Sequence, residues 1–257
     1  MNTTELKKII KKELNSLEPC EEGLEEFETK DLKDISNGSK VWFASRNVRT
    51  CKIALESGLF DVNMKDNDGN TALMYAVGRE DYNTVKLLLD NGADVNMENN
   101  DGKTALMYVG REDYNKVKLL LDNGADVNMQ NKYGRTALMY AVGREDYNTV
   151  KLLLDNGADV NMKNNYGNTA LMYVGREDYN TVKLLLDNGA DVNMENKYGR
   201  TALMYAVDIK DYNTVKLLLD NGADVNMKSD YGNTALDYAK EYEITEIIEL
   251  LNKYTNK

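Results

Sequence analysis

Short apolar stretches alternate with polar turn segments along most of this chain, and the pattern recurs about every 33 residues. In one copy, the run 72–77 contains only Ala, Leu, Met, Tyr and Val. The next apolar run has helical spacing, with apolar residues at Tyr82, Val85, Leu88 and Leu89. The pattern predicts two short helices in each copy, with these residues facing the core. Helices this short cannot bury their apolar faces alone, so each copy must stack on its neighbours.

Turn residues separate the predicted helices. Gly69 can take the positive φ of a tight turn, Thr71 stands at a helix N-cap, and Gly92 follows a helix end. The Thr-Ala-Leu triplet begins at Thr71, Thr104, Thr136, Thr169, Thr201 and Thr234. This repetition predicts an all-α repeat solenoid and argues against a single catalytic centre, since no position is chemically unique.

The ends of the array read as caps. Residues 36–67 form a degenerate first repeat, 68–230 hold the central repeats, and 231–257 form a C-terminal capping repeat. The last predicted helix carries polar residues that suit an outer face in water, as terminal repeats require.

Residues 1–35 lie outside the repeats and are expected to form a helical N-terminal extension. Its apolar residues share one helical face and comprise Leu6, Ile9, Ile10, Leu14 and Leu17. One interpretation is a helix that docks on a membrane surface or a partner. The favoured one is a cap, helical over 5–17 and packed on the repeat that contains Trp42 and Phe43, because Glu5 and Glu13 interrupt the lysines.

These residues closely resemble the ankyrin repeat family. Its signature D-x-x-G-x-T-P-L-H-x-A, followed by V-x-x-L-L-x-x-G-A-D-V-N, matches 69–76 and 85–96 in order and spacing, and the resemblance covers 36–253. The family's Pro is Ala in each copy, and its His is replaced at Met74, Met107, Met139, Met172, Met204 and Asp237. The resemblance implies stacked helix-turn-helix repeats with hairpin-like turns, held here more by apolar contact with Met.

The resemblance also implies that a protein partner binds the turn tips and the exposed side of the first helices, which line a concave face. Carried over by position, the candidate partner-binding residues are Asp68, Arg79, Lys103, Arg111, Tyr133, Arg135, Arg144, Tyr166, Asn168, Arg176, Tyr198, Arg200 and Tyr231. Tyr and Arg are enriched at interface hot spots. The alternative is that duplication has merely copied surface residues. Divergence between copies marks a specific site, and Asp208-Ile209-Lys210 is the clearest divergence within the array.

Composition narrows the function classes. The net charge of −11 opposes nucleic-acid binding, and no apolar run approaches the roughly 18 residues of a membrane span. Cys20 and Cys51 have no metal-ligand spacing; a disulfide between them stays open, although a reduced compartment is favoured. We expect a cytoplasmic monomer without cofactors or metals, and a non-classically secreted effector stays open.

Catalysis finds little support in the sequence. The chain has no histidine, and acid pairs such as Glu80-Asp81 recur in most copies, which favours solvated loop charges over catalytic carboxylates. Three functions are therefore compared: a non-enzymatic protein-binding scaffold, which is favoured; an immunity or inhibitor protein that blocks a basic enzyme or toxin; and a structural spacer.

The spacing of the copies is irregular. The turn glycines stand at 69, 102, 134, 167 and 199, so successive steps are 33, 32, 33 and 32. The missing residue falls in the first helix of alternate copies. We expect the loss to be absorbed at Val109-Gly110 and Val174-Gly175 by a first helix about one residue shorter. The second helices then keep their register, with Tyr114 and Val117 in the core, and Arg111 and Arg176 project differently from their counterparts.

Overall fold

The structure is a computed structural model that describes residues 3–14, 30, 34–58, 60–79, 81–111 and 113–255. Within these ranges the regular structure is helical, apart from one isolated β-bridge between Lys65 and Thr71. The chain divides into two units, Met1–Asp126 and Val127–Lys257. The repeats between the degenerate first repeat and the capping repeat are named A (68–100), B (101–132), C (133–165), D (166–197) and E (198–230).

In the first unit, a single helix precedes pairs of short helices. Its α-helices are Thr3–Leu14, Asn37–Ser45, Val48–Ser57, Ala72–Val77, Tyr82–Asp90 and Tyr114–Asp122, and a 3₁₀-helix spans Ala105–Tyr108. The two helices of each pair pack on each other, and corresponding helices of successive pairs pack side by side.

The second unit has the same arrangement. Its α-helices are Ala137–Gly143, Tyr147–Asp155, Tyr179–Asp187, Ala202–Asp208, Tyr212–Asp220, Ala235–Glu241 and Thr245–Thr255, and a 3₁₀-helix spans Ala170–Tyr173. First helices pack on first helices and second helices on second helices of successive repeats. Each unit is thus a stack of helix pairs, and the predicted all-α repeat solenoid is confirmed.

In repeats A to E, a Thr precedes each first helix, and the helix buries its Met. Thr71 accepts a hydrogen bond from the Met74 amide at 3.4 Å, and Thr136 accepts one from the Met139 amide at 3.3 Å, as expected of N-caps. The buried methionines are Met74, Met107, Met139, Met172 and Met204. The position where the family has His is therefore apolar and part of the core, and the stack depends on packing there.

The prediction that the tyrosine at the start of each second helix faces the core is wrong. Tyr82 is 41% exposed and Tyr114 is 43% exposed, whereas Val85 and Val117 are fully buried. The reason is that Thr84 is buried as well, so the apolar face is turned toward it and away from Tyr82. In repeat A, the buried hydroxyl is satisfied, because Asp81 accepts a hydrogen bond from Thr84 at 2.5 Å.

Asp146 of the acid pairs differs from the expected solvated loop charges. Asp146 and its counterpart Asp211, which follows Lys210, are buried, and each caps a second helix by accepting the amide and the hydroxyl of the Thr three residues later. An Asp N-cap satisfies amides that the helix leaves unpaired, so these carboxylates have a structural role.

The spacing irregularity is absorbed where we expected, but by a larger change. Repeats B and D have one turn of 3₁₀-helix in place of the six- or seven-residue α-helix of repeats A, C and E. The chain then becomes extended at Val109, with φ −56° and ψ 128°, and at Val174, with φ −63° and ψ 130°. The second helix nevertheless keeps its register, since Val117 and Leu120 are fully buried.

The N-terminal helix begins earlier than predicted, at Thr3, and is described to Leu14. It packs against Val48–Ser57, the second helix of the degenerate repeat, where Ile10 is buried and Glu13 pairs with Arg49 at 2.7 Å. Residues 15–17 and the side chains of Leu6 and Leu14 lie outside the described part of the chain. The role of this helix as a cap stays a prediction.

Candidate protein-binding surface

A buried asparagine shapes the turn between successive repeats. The Asn131 side-chain oxygen accepts the amides of Tyr133 and Arg135, both at 2.9 Å, and its amide group donates to the Tyr140 hydroxyl at 2.8 Å. Asn164 makes the equivalent bonds to residues of repeat D, and Asn196 makes them to residues of repeat E. One side chain therefore fixes the turn and ties it to the first helix that follows.

Backbone hydrogen bonds join the turn tips of the second unit into a row. The carbonyls of Tyr133, Tyr166 and Tyr198 each accept an amide of the following turn at 2.9 Å. Gly134 is required at this close approach, because a Cβ there would lie 2.7 Å from the Asn165 amide nitrogen, and its φ is +72°. These hydrogen bonds therefore fix the backbone positions of the turns that carry the tyrosines.

Tyrosine side chains project from this row into solvent. The exposed fractions are 53% for Tyr133, 48% for Tyr166, 48% for Tyr198 and 79% for Tyr231. Neighbouring repeats do not exclude water from these side chains, because the tips extend beyond the helices. The corresponding turn positions in the first unit hold exposed Asp68 and Asp101 instead.

The residue after the turn glycine takes one of two roles. At Asn70 and Asn168, it accepts a hydrogen bond from the asparagine of the next turn: Asn99 donates to Asn70 at 2.8 Å, and Asn196 donates to Asn168 at 2.7 Å. The candidate Asn168 therefore joins two successive turns. Where it is cationic, it lies over a tyrosine ring, as Lys103 does over Tyr108 at 5.5 Å.

The arginines that end the first helices alternate along the chain, as the spacing predicts. Arg79 is half-buried and donates to the Ser45 carbonyl at 2.8 Å, and Arg144 is half-buried over the Tyr140 ring at 5.5 Å. Arg111 and Arg176 are exposed. The difference follows from the 3₁₀ turn, which ends the first helix before it can direct the arginine onto the stack.

Three equivalent junctions within the units differ in what fills them. Where repeat A meets repeat B, a cavity of about 210 Å³ is lined by Asn70, Met74, Tyr75, Gly78, Arg79 and Tyr108. The same positions in repeats C and D are Arg135, Met139, Tyr140, Gly143, Arg144 and Tyr173, and in the last two repeats they are Arg200, Met204, Tyr205, Asp208, Ile209 and Tyr238. The divergent Asp208 thus stands where the other copies have Gly.

An ion pair fills the last of these junctions. Arg200 pairs with Asp208, and its guanidinium lies 4.3 Å from the ring centre of Tyr205 and 5.2 Å from that of Tyr238. Both charged side chains are mostly covered, with 21% and 25% of their surface exposed. Burial lowers the pKa of Arg200, but the Asp208 hydrogen bond and charge outweigh it and raise the pKa above its usual value. The Arg200 guanidinium therefore stays protonated, and the Asp208 carboxylate balances its positive charge.

Sequence reasoning missed the groups that organise this surface. A polar turn residue lies three positions before each turn glycine, at Asp66, Asn99, Asn131, Asn164, Asn196 and Ser229, and the last four of these are buried. A side-chain acceptor at a fixed distance before Gly is the available signal, because it is typical of a side chain that caps its own turn. The Arg200–Asp208 pair had no such signal, since eight residues separate the partners.

Other kinds of site are not evident in the described ranges. No group of His, Cys, Asp or Glu among those residues could hold a metal ion. In the same part of the chain, no helix has the length and apolar character needed to cross a membrane. Cys51 is a buried free thiol, and burial together with the charge of Asp81 raises its pKa to about 12.

The fold and the projecting turn row define a helical-repeat protein. The family profile described as "Ankyrin repeats (3 copies)" matches residues 41–131, 109–196 and 174–257. The chain belongs to the ankyrin repeat family. Ankyrin repeats are generally protein–protein interaction modules, and proteins built from them are typically non-enzymatic scaffolds. None of the curated proteins compared with the chain matches it significantly.

Proposed function

We propose that this protein is a non-enzymatic scaffold that binds a protein partner through the turn row and the adjoining first helices of its second unit. The observation that carries the proposal is the row of exposed Tyr133, Tyr166 and Tyr198 on hydrogen-bonded turns. Tyrosine brings a large contact area and a hydroxyl while losing little conformational freedom. A rigid row of such side chains is pre-organised for binding, which lowers the entropic cost of association.

Two further features support this surface over the outer face of the second helices. Arg135 follows the turn that carries Tyr133, and Tyr and Arg together are the residue types that dominate binding hot spots. On the outer face, lysines are already paired with aspartates of the same helix, as in Lys151–Asp155 at 2.7 Å. Such exposed pairs contribute little and offer no unmet binding capacity.

Inhibition of a basic enzyme or toxin is the second candidate, and the net charge of −11 is what favours it. An acidic body accelerates the approach of a basic protein by electrostatic steering. Strong dependence of the association rate on salt, with loss of the bound enzyme's activity, distinguishes this function from a neutral scaffold. A protein that retains no partner at all is a structural spacer.

The test is retention of partners from the native lysate by the intact protein and by two variants. The binding variant carries Tyr133→Ala, Tyr166→Ala and Tyr198→Ala, which alter exposed side chains. The control carries Tyr147→Ala and Tyr179→Ala, two tyrosines that are about 40% exposed on the second helices. We expect the control to retain the partner and the binding variant to lose it. Equal retention by both variants would refute the assignment of the surface.

A further inference from the structure

The ion pair at the end of the array shows what this kind of junction can hold. In the last junction, the Asp208 carboxylate reaches the Arg200 guanidinium between two tyrosine rings. Asp208 is the final residue of the helix Ala202–Asp208, and Gly143 is the final residue of the matching helix in repeat C. The same backbone therefore presents a carboxylate to arginine in repeat E and only a hydrogen atom in repeat C.

Repeat C keeps the arginine without its carboxylate. The Arg135 guanidinium lies over the Tyr173 ring at 5.4 Å, and its Nε is buried without a hydrogen-bond partner. The Nε of Arg200 is also buried and unpartnered. The junctions differ in the carboxylate and in the tyrosine ring of the first helix, which lies under Arg200 in repeat E (Tyr205, 4.3 Å) and under Arg144 in repeat C (Tyr140, 5.5 Å). In the part of the chain that the structure describes, the Arg135 side chain has no ion pair or hydrogen bond. A second cation, Arg144, directly follows Gly143, where repeat E has the neutral Ile209.

We propose that Arg135, Gly143, Arg144 and Tyr173 form a slot for an aspartate or glutamate side chain of the partner, bound as Asp208 is bound by Arg200. The planar guanidinium offers several N–H donors to a carboxylate, and Arg200 uses its Nη2 group in this way for Asp208. The tyrosine ring beneath Arg135 holds the guanidinium in place, so little freedom is lost on binding. This inference rests on the proposed function, because the slot matters only if a partner protein docks beside it.

The acidic character of the whole chain does not oppose the slot. At physiological ionic strength, charges more than about 8 Å apart in water are largely screened, so the net charge acts weakly at contact distance. Arg135 and Arg144 give the slot two positive charges, and the carboxylate of the next residue, Glu145, lies against Gly175 of repeat D. An acidic side chain that reaches the slot therefore meets two arginines.

The chain offers a matched pair of substitutions for the test. Gly143→Asp places a carboxylate where Asp208 stands in repeat E, and no atom lies within 4 Å of the position that its Cβ would take. Gly143→Asn is the uncharged control of the same shape. Asp208→Gly makes the opposite change, since it opens the last junction and leaves Arg200 in the state of Arg135.

The direct measurement follows the Nε–H signals of Arg135 and Arg200 by NMR in the intact protein. The probe is N-acetyl-aspartate methylamide, and its asparagine analogue and inorganic phosphate are the controls. We expect a saturable shift of the Arg135 signal with the aspartate probe only. The shift should be lost in Gly143→Asp, and Asp208→Gly should give a new saturable shift at Arg200.

A second measurement is independent of any probe. The effect of Gly143→Asp on the melting temperature is compared in the native protein and in an Arg135→Gln background, with Gly143→Asn alongside. We expect Gly143→Asp to melt about 1–3 °C above Gly143→Asn, as for one partly exposed ion pair, and this gain to vanish without Arg135. No such coupling would overturn the slot.

The binding result has its own contrary outcomes. Shifts that do not saturate, that the asparagine analogue or phosphate reproduces, or that persist in Gly143→Asp would each overturn the carboxylate assignment. Because neither experiment needs the natural partner, the slot can fail while the tyrosine row still binds, and the row can fail while the slot still binds a carboxylate.

Discussion

At the scale of single residues, the buried polar groups are what hold each turn and loop in place. Asn164 accepts two backbone amides and donates to the Tyr173 hydroxyl at 2.6 Å, although it is almost entirely buried. Lys116 is buried too, in a position where repeats A, C, D and E have Thr. These side chains form hydrogen bonds with backbone groups that have no partner within a helix. Removing such a side chain leaves those groups unpaired in the protein, and their lost hydration then lowers stability by more than the lost contact alone.

We predict that Asn164→Ala lowers the free energy of unfolding by about 2 kcal/mol, because two part-buried backbone amides and a tyrosine hydroxyl lose their partner. Urea denaturation measures the change. Asn180→Ala is the control, since this exposed asparagine on a second helix should change stability by less than about 0.5 kcal/mol. A similar cost at both positions would contradict the role of the buried turn asparagine.

Lys116 provides a second prediction. Its ammonium group donates to the carbonyls of Val77 at 2.8 Å and Arg79 at 2.5 Å and pairs with Asp113 at 2.7 Å. We expect Lys116→Met to cost about 2 kcal/mol in urea denaturation, because these acceptors are left unpaired. The neighbouring Lys118, half-exposed and paired with Asp122, gives the control: Lys118→Met should cost less than about 0.5 kcal/mol. Equal effects of the two changes would show that burial does not matter here.

At the scale of elements, the loss of one residue changes the type of helix. Repeats B and D have a 3₁₀ turn, and in both the Asp before the second helix makes no capping hydrogen bond to that helix. Repeats A, C and E have an α-helix, and the corresponding Asp caps. In repeat D this leaves the buried Thr181 hydroxyl without a hydrogen-bond partner. The shortened helix and the missing cap are thus two results of the same deletion.

Restoring the missing residue should restore the cap. We predict that an Ala inserted between Tyr173 and Val174 converts Ala170–Tyr173 to an α-helix and lets Asp178 cap Thr181. The gain should be about 1 kcal/mol in free energy of unfolding, the usual value of an N-cap, with more helical circular dichroism. As a control, the same insertion between Tyr140 and Ala141 overfills a complete helix and should destabilise. A loss of stability from the repeat D insertion would contradict this account.

The N-terminal helix gives a prediction about capping. Ile10 is buried, whereas Ile9 on the same helix is 36% exposed. If the helix caps the degenerate repeat, Ile10→Ala should lower the free energy of unfolding by about 2 kcal/mol, in the range for a buried aliphatic side chain. Ile9→Ala should have a much smaller effect. Equal, negligible effects in thermal denaturation would indicate a free arm instead of a cap.

At the scale of the whole molecule, the sequence predicted the repeat architecture because periodicity is a property of many residues at once. The bounds of the second helices and the place of the irregularity follow from the same pattern. Side-chain direction was predicted less well: Tyr82 was assigned to the core because its spacing allows it, but the helix buries Thr84 instead. The Arg200–Asp208 pair joins a turn to the end of a first helix across eight residues of repeat E, a contact that helix spacing does not specify.

The candidate site was predicted in part, for a physical reason. Turn residues are readable from the glycines, so the tyrosine row could be located without the structure. Whether a residue at that surface is available or already used depends on its neighbours, as Asn168 and Arg200 show through their bonds to Asn196 and Asp208. Near-identical copies look equivalent in sequence, yet they differ at the end of the first helix. Asp208 pairs with Arg200 in repeat E, whereas Gly143 leaves Arg135 without a carboxylate in repeat C.

The central claim is that the turn row of the second unit is the binding surface, and affinity for the retained partner tests it most directly. Isothermal titration calorimetry compares the native protein, the variant without Tyr133, Tyr166 and Tyr198, and the control without Tyr147 and Tyr179. Loss of a true hot spot costs upward of about 2 kcal/mol, so we predict at least about thirty-fold weaker binding for the row variant and less than about three-fold for the control. Unchanged affinity in a folded row variant would contradict the account.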